Sequence, residues 1–264
     1  MRKSLTIMAL ALGLSACQTA RTNSDDPTYD PFESLNRKVY GFNNAVDRAI
    51  IGPVARGYIR TVPEPARDGL SNGLTNLNSP TVFINDVLQA KPQRAAETLA
   101  RFIINSTIGL GGLIDVAGAG DNGLEGHSED FGQTLGYWGV PSGAYFVAPL
   151  LGPTNLRDSI GTFADRATDP FIWLEFGVAD SLDVYIQSSR TVVTALDTRA
   201  RLNEAFESLN RQPEPYTALR RAYTNGRKTA IRDGQPVANP YDDLPDFDEF
   251  DDFDDFEDNT ELDE

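Results

Sequence analysis

One cysteine and one histidine are all that this 264-residue chain offers to thiol and imidazole chemistry. A single Cys17 excludes an internal disulfide framework and any cysteine-clustered metal site. A lone His127 speaks against Ser-His-Asp, Cys-His and multi-histidine zinc centres. Neither a P-loop nor a G-x-S-x-G elbow occurs, so ATP hydrolysis and lipase-type catalysis have no motif to stand on. Gly118, Gly120 and Gly123 formally fit G-x-G-x-x-G, but Leu124-Glu-Gly-His follows where a helix is required. Period-two alternation is scarce, and no Asn-Gly or Asp-Gly separates two strand-like runs. Glycine (22) and proline (16) are too few for a fibrous protein, while 40% apolar residues exclude a wholly disordered one.

Basic residues are absent from one place in particular. Residues 242–264 hold 14 acids and no Lys or Arg. Taking those 14 from the 39 acids leaves 25 against 23 bases, so the net charge of -16 belongs almost wholly to the tail. The body is near neutral, and nucleic acid is not expected as a partner. Within the tail Phe247, Phe250, Phe253 and Phe256 recur every third residue among carboxylates. Such a segment cannot build a core and is expected to be disordered. It is either a solubilising tail or a docking segment for a basic, partly apolar surface.

The amino terminus sets the compartment. Arg2 and Lys3 precede a ten-residue apolar run, Leu5 to Leu14, far short of the ~20 residues that span a bilayer. This is a secretory signal peptide ending in Leu14-Ser-Ala-Cys17, which resembles a bacterial lipobox. Lipidation of Cys17 would consume the one thiol, and three acyl chains make a durable anchor where one is marginal. Gln18 stands where inner-membrane retention uses Asp, so the periplasmic face of the outer membrane is the expected address.

The rest of the chain reads as helical. Asp30 is expected as N-cap of a helix whose apolar residues Phe32, Leu35, Val39, Phe42, Val46 and Ile50 are three or four apart. Gly52-Pro53 is expected to end it. Further helices are expected over 65–77, 80–89, 92–106, 153–166, 180–210 and 213–223, with Asn225-Gly226 as the last stop. Two Gly-rich apolar stretches interrupt the pattern, 108–123 and 136–153. The second carries no charge and either threads the core or faces something apolar such as lipid. His127 beside Glu125, Glu129 and Asp130 is a weak cation candidate, although a polar helix-entry loop explains it as well. The domain plan is therefore a signal peptide (1–16), a lipidated tether (17–28), a helical body (29–240) and an acidic tail (241–264).

Several segments together resemble the MlaA (VacJ) family of outer-membrane lipoproteins. They are Tyr29-Asp-Pro-Phe-Glu-Ser-Leu-Asn-Arg37, Tyr40-Gly-Phe-Asn-Asn-Ala-Val-Asp47, Asn85-Asp-Val-Leu-Gln89, the run from Arg101 to Ala117, Glu129 to Gly143, Pro149-Leu-Leu-Gly-Pro153 and Leu156-Arg-Asp158. Gly73 departs from the family's larger apolar residue, and the acidic tail lies outside the pattern. The resemblance implies an all-α, ring-like bundle of amphipathic helices beside a trimeric porin, with an amphipathic channel for phospholipids. A periplasmic lipid carrier would receive the cargo, an inner-membrane ABC complex would supply the energy, and no cofactor is implied. On this reading stretch 136–153 is expected to face the lipid path as a movable hairpin. Its hinges would be Gly136, Gly139, Gly143 and Gly152, and its apolar wall Phe146, Val147, Leu150 and Leu151. Two other classes stay open: a lipid hydrolase drawing acids and bases from Asp115, Glu129, Asp130 and Asp158, and a structural porin adapter without a channel.

Overall fold

A computed structural model describes residues 29–120, 123–169 and 180–235. The signal peptide, Cys17 and its tether, and the acidic tail lie outside the described residues. The first helix, α1 (Glu33–Val46), passes through a π-turn (Asp47–Ile51) directly into α2 (Gly52–Thr61). Then come α3 (Glu64–Leu88), α4 (Pro92–Thr107) and α5 (Phe131–Tyr137). A hairpin of β1 (Tyr145–Ala148) and β2 (Gly152–Asn155) leads into α6 (Leu156–Thr168). The chain continues with α7 (Asp180–Arg201), α8 (Asn203–Asn210) and α9 (Pro215–Ile231). The class is all-α, with one antiparallel two-stranded hairpin. The main packings are α3 on α4, α5 on α6 and α2 on α7, with α9 closing over α5.

Four local expectations are corrected. Gly52-Pro53 does not stop the chain: Pro53 occupies the first turn of α2, where its missing N–H costs nothing, and Gly52 N–H bonds Asp47 O across the π-turn. Pro80 lies inside one 25-residue helix rather than opening a second. The turns on either side of it are tied to neighbours: Asn76 donates to Ser106 Oγ at 2.8 Å and Asn85 to Asp165 at 3.1 Å. Asn225-Gly226 is helical, and α9 ends only at Ile231, followed by Asp233 and Gly234 with positive φ. Asp30 is not an N-cap, since Phe32 holds that position without a side-chain bond. Its carboxylate is buried and accepts from Asn36 (2.8 Å), Arg220 (2.9 Å) and the Tyr216 hydroxyl.

The burial pattern is inverted. Among the described residues, eight buried side chains are apolar and seventeen are polar or charged. The apolar cluster consists of Tyr145, Val147 and Tyr216, with Val39, Tyr40 and Tyr223 against it. The large apolar side chains face outward instead. On α1 it is Asn36 that is buried, while Phe32, Leu35 and Phe42 from the expected apolar stripe are exposed, as is Ile50 in the π-turn. The periodicity is that of an amphipathic helix, but four of its six apolar residues face away from the protein, while Val39 packs on the apolar cluster and Val46 is half-buried.

Candidate functional site

A polar spine runs through the centre of the molecule. Its first part joins α3, α4 and the loop before α5. Asp86, fully buried, accepts from Thr98 Oγ1 at 2.7 Å and pairs with His127 Nε2, which is 3.0 Å from both carboxylate oxygens. Gln89 donates to Glu129 (2.9 Å) and Thr134 (3.1 Å), and Thr134 donates on to Asn85 at 2.8 Å. Lys91 and Arg94 approach Glu129 and both bind Asp233, which fastens the end of α9 to the start of α4. Burial holds the Glu129 carboxyl above its usual range despite these cations.

The second part joins α5, α6 and α9. Asp130 caps α5 through Gln133 N and receives both guanidinium nitrogens of Arg227, at 2.6 and 2.9 Å. Burial would raise this carboxyl, but the Arg227 pair outweighs it and holds it low. Asp158 accepts from Asn155 (2.8 Å), Arg157 (2.9 Å) and Tyr223 (2.5 Å), with Arg227 Nε at 2.9 Å. Burial and that carboxylate together push the Tyr223 hydroxyl upward. Asp165 bonds Asn85 and the Phe131 N–H, yet burial dominates and its carboxyl is pushed up to about 6.

The hairpin is moored to α1. Asn36 accepts from Val147 N at 3.0 Å and donates to Tyr145 O at 3.3 Å. Asn43, two turns later, accepts from Leu150 N at 2.8 Å and donates to Ala148 O at 3.0 Å. Two asparagines thus satisfy the edge of β1 that no strand covers. Of the four expected wall residues, Leu150 and Leu151 project at the tip, the latter 86% exposed, and Phe146 is half-buried. Val147 lies in the core cluster at 4% exposure, because β1 alternates between its two faces. Of the four expected hinges, Gly139, Gly143 and Gly152 have positive φ. Gly136 lies within α5, where a Cβ would stand 2.6 Å from Ile231 Cδ1, so it serves close packing rather than rotation.

Acid–base candidates from the sequence are engaged elsewhere. Asp115 is held by Arg101 and Asn105, and Asp130 and Asp158 by Arg227. His127 turns to Asp86 and Thr98 rather than to Glu125, Glu129 or Asp130. Among the described residues no three His, Cys, Asp or Glu side chains group as metal ligands. The glycine motif at 118–123 has α4 ending well before it and α5 beginning only at Phe131, so it lacks the strand–turn–helix frame. Arg227 and Asp165 are not marked in the sequence, and Asp86 stands there only within the segment Asn85-Asp-Val-Leu-Gln89, without a role. Their partners are 97, 80 and 41 positions away, and no local pattern marks them. Among the described residues no helix is long and apolar enough to cross a membrane.

Comparison with known proteins gives one consistent result. The family model described as "MlaA lipoprotein" matches residues 28–230. The "Intermembrane phospholipid transport system lipoprotein MlaA" of Shigella flexneri is 35% identical over 255 residues, covering 92% of this chain and 98% of the relative. The protein of the same name in Haemophilus influenzae is 34% identical over 244 residues, covering 92% and 95%. A solved structure described as "Structural basis for maintenance of bacterial outer membrane lipid asymmetry" superposes with a TM-score of 0.68 at 35% identity, covering 76% of this chain and 98% of the other.

Proposed function

The chain belongs to the MlaA lipoprotein family, and on that premise we propose that it withdraws mislocalised phospholipid from the outer leaflet of the outer membrane and hands it to a soluble periplasmic carrier. The observation that carries this reading is the inverted burial pattern, polar within and apolar without. An ordinary soluble protein gains most of its stability by hiding apolar side chains. A ring lying in a leaflet has hydrocarbon for a surrounding, so its apolar side chains belong outside. A charged headgroup moving through it needs polar partners inside, because an unpaired buried charge is prohibitive. The spine of Asp86, Glu129, Asp130, Asp158, Arg157 and Arg227 supplies such an interior.

In this reading Cys17 carries the lipid anchor, the ring lies at the periplasmic face beside a trimeric porin, and energy comes from elsewhere. Leu150 and Leu151, flanked by Phe146, meet the lipid from the hairpin tip, and Gly139, Gly143 and Gly152 provide the rotation. Val147 supports the hairpin from within. The acidic tail steers the carrier's approach. Catalysis is not part of the proposal, since each carboxylate suggested for it is bound into a structural pair.

Deleting the gene and measuring phospholipid in the outer leaflet tests the reading. Accumulation that this chain reverses supports it, and an unchanged leaflet refutes it. Lyso-lipid produced when the pure protein meets phospholipid would move the assignment to a hydrolase.

A further inference from the structure

At the root of the hairpin lies a cavity of about 260 Å³, walled by Ser142 and Gly143, by Asn155 and Arg157 at the start of α6, and by Arg227 and Lys228 on α9. Its charges can be paired off. Arg227 is bound bidentately by Asp130, and Arg157 is bound by Asp158. Two arginines thus stand against two aspartates. Lys228 is left over: it is half-buried, it lines the cavity, and it has no ion-pair partner among the described residues. Among the described residues the cavity therefore carries one positive charge that no carboxylate offsets. A phosphodiester is a monoanion and matches that surplus, while the Ser142 hydroxyl in the same lining is a donor suited to its oxygens.

The surroundings select among anions. Leu156 adjoins the cavity through Gly143, where an added Cβ would come within 3.1 Å of the Leu156 Cβ. From there Leu156, Ile160 and Phe163 follow at spacings of four and three along one face of α6, all of them exposed and Phe163 the most, at 77%. That stripe leads away from the cavity for about 10 Å, at ~1.5 Å per residue. A free phosphate has no use for it. A molecule with a phosphate at one end and hydrocarbon at the other fits both halves.

We infer that this cavity is a headgroup station for a phospholipid: Lys228 takes the phosphate and the Leu156–Ile160–Phe163 stripe takes the acyl chains. The inference deepens the transport reading and rests on it. It makes Lys228 a binding residue at the root of the hairpin, where an arriving phosphate would touch both Gly143 and α9. Headgroup selection would then occur beside the turn proposed to move.

No hydrogen bond or ion pair of Lys228 among the described residues would be broken, so Lys228→Ala is expected to stay folded with a melting temperature close to that of wild type. The full-length lipoprotein, purified in a neutral detergent, is titrated with dihexanoylphosphatidylglycerol and, separately, with inorganic phosphate, with bound molecules counted by native mass spectrometry. Removing one charge-assisted contact should weaken lipid binding about tenfold to a hundredfold in Lys228→Ala. Lys228→Arg should stay within a few-fold of wild type, and inorganic phosphate should bind far more weakly than the lipid. Equal lipid binding by wild type and Lys228→Ala would overturn the station. If that variant also clears the outer leaflet in a deletion strain, the transport reading stands without it. Inorganic phosphate binding as tightly as the lipid, and lost in Lys228→Ala, would make this a free-anion site and overturn the headgroup assignment. A wild-type protein that binds no phospholipid and whose deletion leaves the leaflet unchanged would remove both.

Discussion

At the scale of single residues, most of the specificity of this fold resides in buried polar pairs. Asp165 is the clearest case, because its environment conflicts with its charge. It accepts two hydrogen bonds on one oxygen, from Asn85 and from Phe131 N, yet burial lifts its carboxyl to about 6 from 3.8. An acid whose folded-state pKa is raised binds its proton more tightly when folded. Its stabilising contribution is therefore complete below pH 3.8, fades as pH rises through about 6, and becomes a penalty at neutrality. Asp165→Asn keeps an oxygen for both donors and removes the charge. The variant should be more stable than wild type by about 1 kcal/mol near pH 7.5, allowing for solvent screening of a group that is not fully enclosed. The advantage should shrink as pH falls from about 6 and vanish only below 3.8, where the carboxyl is protonated in the folded and the unfolded chain alike. Paired thermal melts across that range check this, and a constant difference would place the effect elsewhere than in ionisation.

At the scale of elements, proline and glycine marked where helices begin better than where they end. Pro92 opens α4 as its position suggested, because a first-turn proline loses no hydrogen bond. Pro80 read as a start and lies inside α3, while Gly52-Pro53 and Asn225-Gly226 read as stops and are not: the chain passes the first through a π-turn and the second within α9. A hairpin is expected over 136–153, but its strands are not legible: the turn is Pro-Leu-Leu with Leu150 at φ 64°, and the outer edge of β1 bonds asparagines on α1. Glycines that permit helix contact were equally silent. Where α5 meets α6, a Cβ on Gly161 would stand 2.3 Å from Gly132 N, a distance no packing tolerates. Gly161→Ala must separate the two helices, and with them the Asp165–Phe131 bond. We expect a loss of at least the ~1–3 kcal/mol typical of overpacking. Chemical denaturation measures it, with Gly57→Ala as control, because nothing lies within 4 Å of a Cβ there.

At the scale of the whole molecule, the amphipathic periodicity in the sequence located the helices but not the side on which their apolar stripes lie. Periodicity has no sign: the same spacing of three and four serves a helix facing a core and one facing lipid. The direction follows only from what the opposite face must do, and here that face carries Asn36, Asn85, Asp86 and Thr98, which bond one another's neighbours across the interior. The exterior then has a measurable consequence. After α4 the chain places Ile108, Leu110 and Leu113 close together, each more than half exposed. A large apolar side chain gains about 1.5–3 kcal/mol on full burial, so three that are half-exposed would together gain roughly 3 kcal/mol on entering hydrocarbon, about a hundredfold in partition. A chain carrying Cys17→Ser, and hence without acyl chains, should still sediment with phospholipid vesicles in high salt. Replacing Ile108, Leu110 and Leu113 by Ser in that background should reduce the bound fraction by about that factor while leaving circular dichroism unchanged, since none of the three is buried. Unaltered vesicle binding by the triple variant would mean that this edge of the ring faces water, and the membrane-facing surface would then have to be sought along Leu156, Ile160 and Phe163.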